Sequence, residues 1–508
     1  MAGPLRASVV GATMLLAALL TAWALVTPGF RGPDEPPQVS TVLRLATGGG
    51  YPAYPAVLDP SVRAAGPALG FPGLTRVFTD AGVLTARPLD LARPTAAELR
   101  SPAFARDPDT FDQMTAHPPA FATLMAAVVV VGDLMNRPID VALLVLRLAS
   151  AALLLPVPWL IARSALEVGL PAPGAGLAAF VPAGWIQFTH IGGVVNNGTL
   201  LVLGAAGLAA ALLPVCRGAI GGGRAAAIGA LLSLCLLTKG FALGFVPLVA
   251  LAYLAAVRYR GAGATLRAAS ITGVLALPGL AWWAANQIRY GTIQPNELLT
   301  FDVVGPPGAW ESWAGRLGSG LSSSLWADLG WLETPLPWPL HLSATAGLLA
   351  VMAVGTWRLR ASQVEMAVLH GMWVLPLLLV AVGSAQVWGE LGYFVPAQGR
   401  YLFTGAVAVA VCVGAVVRAP WLVRAAPALA AAVGAAGLVF GLRHFWLPAT
   451  PQTALSWWSG GEVLALLVVL VGTAGVIIGV SAMHRLTAAT PPRPGPEPLV
   501  DERRGSPS

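Results

Sequence analysis

The sequence predicts an all-α polytopic membrane protein of about twelve transmembrane helices, with a large first extracytoplasmic loop that carries interfacial helices. Three observations predict it. Of 508 residues, 56% are hydrophobic and 10% charged, against roughly 25% charged in a typical soluble domain, too few to cover a soluble surface. Many apolar runs reach the roughly 17–25 residues a helix needs to cross hydrocarbon, and Glu462 to Met483 is the clearest. Those runs are long Leu/Val/Ala stretches, without the short alternating strands of a membrane β-barrel.

The net charge of +7 would suggest nucleic acid in a soluble protein. Here the basic residues sit in short loops between apolar runs, where they act as orientation signals, so no nucleic-acid partner is expected and the bilayer is. Cys216, Cys235 and Cys412 all lie within apolar runs and lack metal-ligand spacing, so they read as small core residues.

Arg6 precedes the apolar run Ala7 to Val26. The run is long and no small-residue cleavage site precedes Thr27-Pro28-Gly29, so it is expected to be a retained first helix, not a signal peptide. A polar segment of Thr27 to His117 follows, too long to obey the positive-inside rule. Further spans are expected at 141–161, 172–189, 198–215, 225–240, 243–257, 268–287, 341–357, 365–385, 401–418, 425–441 and 461–483. Alternate connections then carry Arg163, Arg217 with Arg224, Arg258 with Arg260 and Arg267, Arg358 with Arg360, Arg418 with Arg424, and Arg485. All fall on one side, which puts both termini in the cytoplasm. The run Pro118 to Gly132 is short for a span, and crossing there would invert this pattern, so it is expected to be an interfacial helix. The domain boundaries that follow are a transmembrane module at 1–290 with its outer loop at 27–135, a second outer loop at 291–340, a second set of transmembrane helices at 341–484, and a disordered tail at 485–508, rich in Pro, Arg and Glu.

Five clusters carry chemistry. Asp34-Glu35 stands a few residues past the first helix, at the membrane surface, between prolines. A carboxylate there serves as a general base reached by both a lipid-linked and a water-borne substrate, or is an ordinary solvated turn. His117 in Ala116-His117-Pro118-Pro119 precedes the short apolar run; it binds a phosphate or solvates the helix end. Arg147 lies inside an apolar run, and Lys239, the one lysine in the chain, stands near the end of another. A buried cation in lipid needs an anion or a water-filled cavity, unless it snorkels to the interface. Gln398-Gly399-Arg400-Tyr401 precedes another span, where Arg offers a planar fork for phosphate or an interfacial anchor. The tryptophans of the second outer loop, Trp310, Trp313, Trp326, Trp331 and Trp338, are first an aromatic belt and second a sugar-stacking platform. Asn197-Gly198-Thr199 matches a glycosylation sequon, but the match is short and abuts a helix start, so it is set aside.

Taken in order, these clusters resemble the GT-C membrane glycosyltransferases. More narrowly they are similar to the dolichyl- or polyprenyl-phosphate-sugar mannosyltransferase-like and aminoarabinose-transferase-like branch. The resemblance covers most of residues 1–290 by layout, plus the 398–401 motif. It implies a hexosyl- or pentosyltransferase taking a sugar from a polyprenyl-phosphate donor to a membrane-lipid or glycan acceptor of the cell envelope, on the outer face of the membrane. By residue, it implies Asp34, with Glu35, as the catalytic acid pair, and His117 and Arg147 as residues lining the donor pocket. Lys239 and Arg400, flanked by Gln398 and Tyr401, are the implied cations for the lipid phosphate. A divalent metal, Mg or Mn, would sit on Asp34 if anywhere. Many relatives carry an Asp where this chain reads Val195-Asn196-Asn197-Gly198, which leaves metal and acceptor open.

The rival reading is a secondary transporter or lipid flippase. Transporters of that kind place acids near mid-membrane, whereas these apolar runs are almost free of them, with Glu365 and Glu462 at expected helix ends. High Ala, Gly, Arg and Pro with a single Lys point to a GC-rich genome, such as that of an actinobacterium, and hence to a bacterial plasma membrane.

Overall fold

The computed structural model describes residues 3–69, 93–104, 112–295, 309–392, 394–395, 397–447 and 451–489. In these the chain is almost wholly helical. The helices are α1 (Gly3–Val26), α2 (Glu35–Ala46), α3 (Pro60–Ala68), α4 (Ala120–Val131), α5 (Ile139–Ala152), α6 (Val157–Glu167), α7 (Ala172–Phe180), α8 (Ile186–Gly192), α9 (Gly198–Val215) and α10 (Gly222–Leu236). There follow α11 (Val246–Arg260), α12 (Ala262–Tyr290), α13 (Trp310–Trp326), α14 (Trp338–Arg358), α15 (Gln363–Leu391), α16 (Ala406–Val416), α17 (Pro420–Trp446), α18 (Pro451–Ser456) and α19 (Gly461–Ala488). A two-stranded antiparallel ladder pairs Asp328–Leu329 with Thr334–Pro335.

Ten helical stretches among the described residues are long and apolar enough to cross a membrane: Gly3–Val26, Ile139–Glu167, Gly198–Val215, Gly240–Arg260, Ala262–Tyr290, Trp338–Arg358, Arg360–Leu391, Gly399–Val416, Pro420–Trp446 and Gly461–Ala488. The chain is therefore an all-α, multi-pass membrane protein. Two of the expected spans differ. The stretch 172–189 breaks: α7 ends at Phe180, a 3₁₀ turn runs Val181–Gly184, and Trp185 is extended before α8. Pro182 lacks an N–H for a continuing helix. The stretch 225–240 is helical only as far as Leu236, because Lys239 is extended (φ −160°, ψ 147°). α4, at 12 residues, is only about 18 Å long, short of the roughly 30 Å hydrocarbon core. Of the tail expected at 485–508, residues 485–488 belong to α19, and residues 490–508 lie outside those described.

α1 is the hub of the bundle. It runs antiparallel to α19 with glycines at the contact: a Cβ at Gly11 would lie 2.7 Å from the Gly475 carbonyl oxygen and 2.8 Å from the Gly479 nitrogen. Small residues let the two backbones approach this closely, the usual way for membrane helices to gain packing without a hydrophobic driving force. Ser8 Oγ lies 3.2 Å from Met483 Sδ, so the first turns of α1 and the last turns of α19 share one end of the molecule. Arginines of the alternate connections cap helix carbonyls: Arg260 Nε donates to Gly218 O at 2.7 Å, and Arg358 Nη1 to Ala415 O and Val416 O at 3.0 and 2.8 Å. A cation at a helix C-terminus meets both the unpaired carbonyls and the negative end of the dipole. The opposite end, where α1 stops, holds the outer-loop elements and the candidate site.

Candidate functional site

The site begins with how α1 ends. Its last carbonyls have no intrahelical partners, and side chains from distant elements take them. Arg147 Nη1 donates to Ala24 O and Thr27 O, and Arg147 Nη2 to Pro28 O. Trp458 Nε1 donates to Leu25 O at 2.8 Å and Trp446 Nε1 to Val26 O at 2.7 Å. The remaining Arg147 donors go to Glu35: Nε to Oε1 at 2.7 Å and Nη2 to Oε2 at 2.6 Å. Both side chains are fully buried, and the Trp458 ring lies 4.9 Å from the guanidinium.

This divides the acidic pair read from the sequence. Glu35 opens α2 and points into the protein, with the Val195 N–H as its further donor at 3.1 Å. Arg147, expected to line the donor pocket, spends all five N–H groups on the protein. Neither faces the pocket that holds the other candidates. Asp34 lies on the other side of the chain. It sits in the left-handed region (φ 62°, ψ 9°), where Asp is one of the few non-glycine residues found. Gly32 lets this turn lie against Val194, whose Cβ would be 2.7 Å from a Cβ at that position. The Pro33 carbonyl accepts from Asn196 Nδ2 at 3.3 Å and from Arg400 Nη1 at 3.2 Å, which pins the residue just before Asp34.

Around Asp34 the structure gathers residues far apart in sequence. Arg400 Nη2 donates to Asp34 Oδ2 at 2.5 Å, and Gln113 Nε2 to Asp34 Oδ1 at 2.8 Å. Lys239, in the turn between α10 and the 3₁₀ segment Gly240–Phe245, lies over Phe241 and Tyr401 with Nζ 5.3 and 5.0 Å from their ring centroids. Its ammonium has no hydrogen-bond or ion-pair partner among the described residues. His117 is partly buried beside these groups, with Nδ1 unpartnered, and the Arg400 Nε and Gln398 Oε1 are likewise buried without a partner among the described residues. Buried polar atoms left unpaired are rare and costly, and two of these (Arg400 Nε, His117 Nδ1) are nitrogens around one carboxylate.

The electrostatics follow from this crowding. Burial alone raises the Asp34 carboxyl, but Arg400 and Lys239 beside it outweigh that and hold it below its ordinary value. Burial, the Lys239 and Arg400 charges, opposed by Asp34, push His117 down to about 3, so it is neutral at physiological pH. Burial and the neighbouring Arg400 lower Lys239 to about 8, with Asp34 opposing.

Lys239, Arg400 and Tyr401 are among the residues lining a tight pocket. Its other walls are mostly apolar, including Leu154, Phe188, Ile191, Leu201 and Val202, with Asn196 and Thr199 as polar exceptions. The arrangement is a mostly apolar slot with two cations in its lining and the Asp34 carboxylate bonded to one of them. The donor set does not fit a divalent metal. Asp34 is its one carboxylate, that carboxylate already faces two cations, and no group of three or more His, Cys, Asp or Glu suited to a metal gathers among the described residues.

Gln113 was not singled out from sequence, and Asn196 was noted only within Val195-Asn196-Asn197-Gly198. Asn196 accepts the Gly198 N–H at 2.8 Å while donating to Pro33, a two-way role its amide fills. The second outer segment docks alongside: Arg31 pairs with Glu333, His444 Nε2 lies 3.0 Å from Glu333 Oε2, and Trp331 Nε1 donates to Phe30 O at 3.0 Å. Of the tryptophans expected there as a belt or platform, Trp331 is buried, while Trp310 and Trp338 are exposed.

No family model matches the chain, and no curated protein matches it in sequence. Among solved structures it is similar to ArnT from Cupriavidus metallidurans bound to undecaprenyl phosphate, with 13% identity and a TM-score of 0.42 over 94% of this chain and 77% of that one. The apo state of the same protein gives 14% identity and 0.43 over 93% and 74%. The Archaeoglobus fulgidus oligosaccharyltransferase tethered with an acceptor peptide containing the NVT sequon gives 11% and 0.38, over 93% of this chain and 55% of that one.

The Arg147–Glu35 network yields a stability prediction. Removing one partner of a buried pair leaves an uncompensated charge, at a cost of about 3–5 kcal/mol. Arg147→Met should therefore lower the thermal unfolding temperature in detergent strongly, and Glu35→Gln combined with it should recover part of the loss. Arg147→Met unfolding at the wild-type temperature would remove Arg147 from the role of anchor.

Proposed function

We propose that the chain is a membrane glycosyltransferase that moves a sugar from a polyprenyl-phosphate donor to a hydroxyl of a cell-envelope acceptor. The observation that carries this is the pair of cations, Lys239 and Arg400, with unpaired donors at the end of an apolar pocket and beside a single carboxylate. The apolar walls match an isoprenoid chain in character, and the cations match a phosphate.

In this reading Asp34 takes the proton of the acceptor hydroxyl as its oxygen attacks the anomeric carbon. The bond from that carbon to the phosphate oxygen breaks through an oxocarbenium-like state. Its electron pair leaves on the polyprenyl phosphate, whose growing charge Lys239 and Arg400 stabilise. Arg400 is held by the Pro33 carbonyl, which Asn196 also binds, and Lys239 lies over the Phe241 and Tyr401 rings. Neutral His117, with an unpaired ring nitrogen, offers a hydrogen bond to donor or acceptor without adding charge. Glu35 and Arg147 serve this scheme by holding the Asp34 turn, not by touching substrate. The donor set supports chemistry without a divalent metal.

Sidedness follows the arginine distribution. The site lies at the end of the bundle opposite the start of α1 and the end of α19, whose short connections carry few basic residues; the long first outer segment, with its own arginines, lies outside the positive-inside rule. Positive-inside orientation then puts both chain ends in the cytoplasm of a bacterial plasma membrane and transfer on its outer face. The transport reading finds little support. Asp140 and Glu365, buried acids inside spans, sit in the first turns of their helices and pair with Arg93 and Arg217, away from mid-membrane.

Two measurements follow. Purified wild type incubated with a panel of radiolabelled polyprenyl-phosphate sugars and envelope acceptors should transfer label, and Asp34→Asn should transfer about 10²–10⁴-fold less while folding normally. Equal transfer by both would take Asp34 out of the chemistry. Second, Lys239 is protonated below about 8 and loses its charge above. Undecaprenyl phosphate should therefore bind evenly at lower pH and weaken as pH rises through that value, and Lys239→Arg should abolish the decline. A flat profile for wild type over the same range would free the phosphate from Lys239.

A further inference from the structure

Arg400 makes two bonds with its five N–H groups, which leaves donors to spare. Nη2 donates to Asp34 Oδ2 at 2.5 Å, Nη1 to Pro33 O at 3.2 Å, and the buried Nε has no partner among the described residues. Asp34 is engaged on both oxygens, since Oδ1 accepts from Gln113 Nε2 at 2.8 Å. Gln113 is itself held. It belongs to the turn Gln113–Ala116 capped by Asp112, whose Oδ1 accepts the Met114 N–H at 3.1 Å and whose Oδ2 accepts the Ser40 hydroxyl at 2.6 Å. Hydrogen bonds to the ionised form favour that form, so a carboxylate bound on both sides is a poor proton acceptor. In this state the proposed base is masked.

The masking partner is also a proposed phosphate ligand. Arg400 and Lys239 carry two positive charges and Asp34 one negative. A phosphodiester in the pocket adds a second anion beside the same guanidinium. Nε is free and Nη2 keeps a second N–H: a phosphate seated on them in the bidentate manner guanidinium prefers puts two anions against one nitrogen, and their mutual repulsion draws Nη2 from Asp34. Gln113 keeps Oδ1 in place meanwhile, so Oδ2 is the oxygen that comes free.

Resting on the donor reading above, we propose that the donor phosphate and the Asp34 carboxylate compete for Arg400, so that seating the lipid donor unmasks the base and the acceptor hydroxyl is deprotonated only afterwards. Binding is then ordered, donor before acceptor. Arg400 acts as the coupling element between the two halves of the reaction.

The test needs neither a sugar nor a known acceptor. Binding of undecaprenyl phosphate is measured by calorimetry on the full chain in nanodiscs, for wild type, Asp34→Asn, Arg400→Gln and the double variant. If Arg400 is shared, Asp34→Asn releases it and binds the lipid about tenfold more tightly, and the gain shrinks to less than about threefold in the Arg400→Gln background. Should Arg400→Gln fail the thermal-unfolding check, Arg400→Lys, which keeps the charge and loses the fork, takes its place. Wild type that binds while Asp34→Asn binds equally or more weakly would overturn the sharing and leave the donor reading standing. A gain of full size without Arg400 would assign the effect to the carboxylate charge alone and overturn it too. Failure of wild type to bind undecaprenyl phosphate would sink the donor reading, and this proposal with it.

Discussion

The last carbonyls of α1 have to be satisfied at a place where the chain leaves its longest buried helix and turns toward the site. Five consecutive carbonyls, from Ala24 to Pro28, accept side-chain donors from Arg147, Trp458 and Trp446. An unpaired buried peptide group costs free energy comparable to a lost hydrogen bond, so this termination fixes where α5, α17 and the start of α19 stand relative to α1. The same guanidinium clamps Glu35, and Glu35 is the first residue of α2. Asp34 is thereby caught between an immobile helix end and an immobile helix start. Its left-handed backbone is the geometric outcome, and its side chain faces away from Glu35 toward Arg400.

A buried ion pair of this kind is weak as a source of net stability, because desolvation offsets most of the Coulomb gain. What it supplies here is position. A second pair, Asp34 with Arg400, is different in kind: Asp34 retains 16% side-chain exposure and stands at the pocket, and its partner has a donor to spare. The contrast sorts the two pairs physically. The first is saturated and closed, so it has nothing to offer a ligand. The second is incomplete and open, which is the state a binding site must be in before its ligand arrives.

Most of the helical layout was legible in the sequence, because crossing hydrocarbon demands a local property, a long apolar run, that needs no knowledge of neighbours. The two departures have local causes: Pro182 and the extended Trp185 break one stretch, and the extended Lys239 ends another early. Site residues were harder. Asp34, Lys239 and Arg400 stood out because charges are scarce in this chain, and His117 stood out beside its prolines. Which charges pair was not legible. Asp34 and Glu35 are neighbours in sequence yet point opposite ways, since one precedes a helix and the other begins it. Arg147 and Glu35 meet across 112 positions, and no local pattern encodes that. Gln113 carries no charge and no motif, so only its partner in space marks it, and nothing local encodes the bond of Asn196 to Pro33.

The central claim is that Lys239 and Arg400 hold a lipid phosphate at the mouth of the apolar pocket. A cryo-EM structure of the chain in nanodiscs with undecaprenyl phosphate tests it most directly. The account predicts the phosphate within hydrogen-bond distance, about 3 Å, of Lys239 Nζ and the Arg400 guanidinium, with the isoprenoid along Leu201 and Val202. A phosphate bound elsewhere, for instance against Arg31 and His444, with Lys239 and Arg400 untouched, would contradict it.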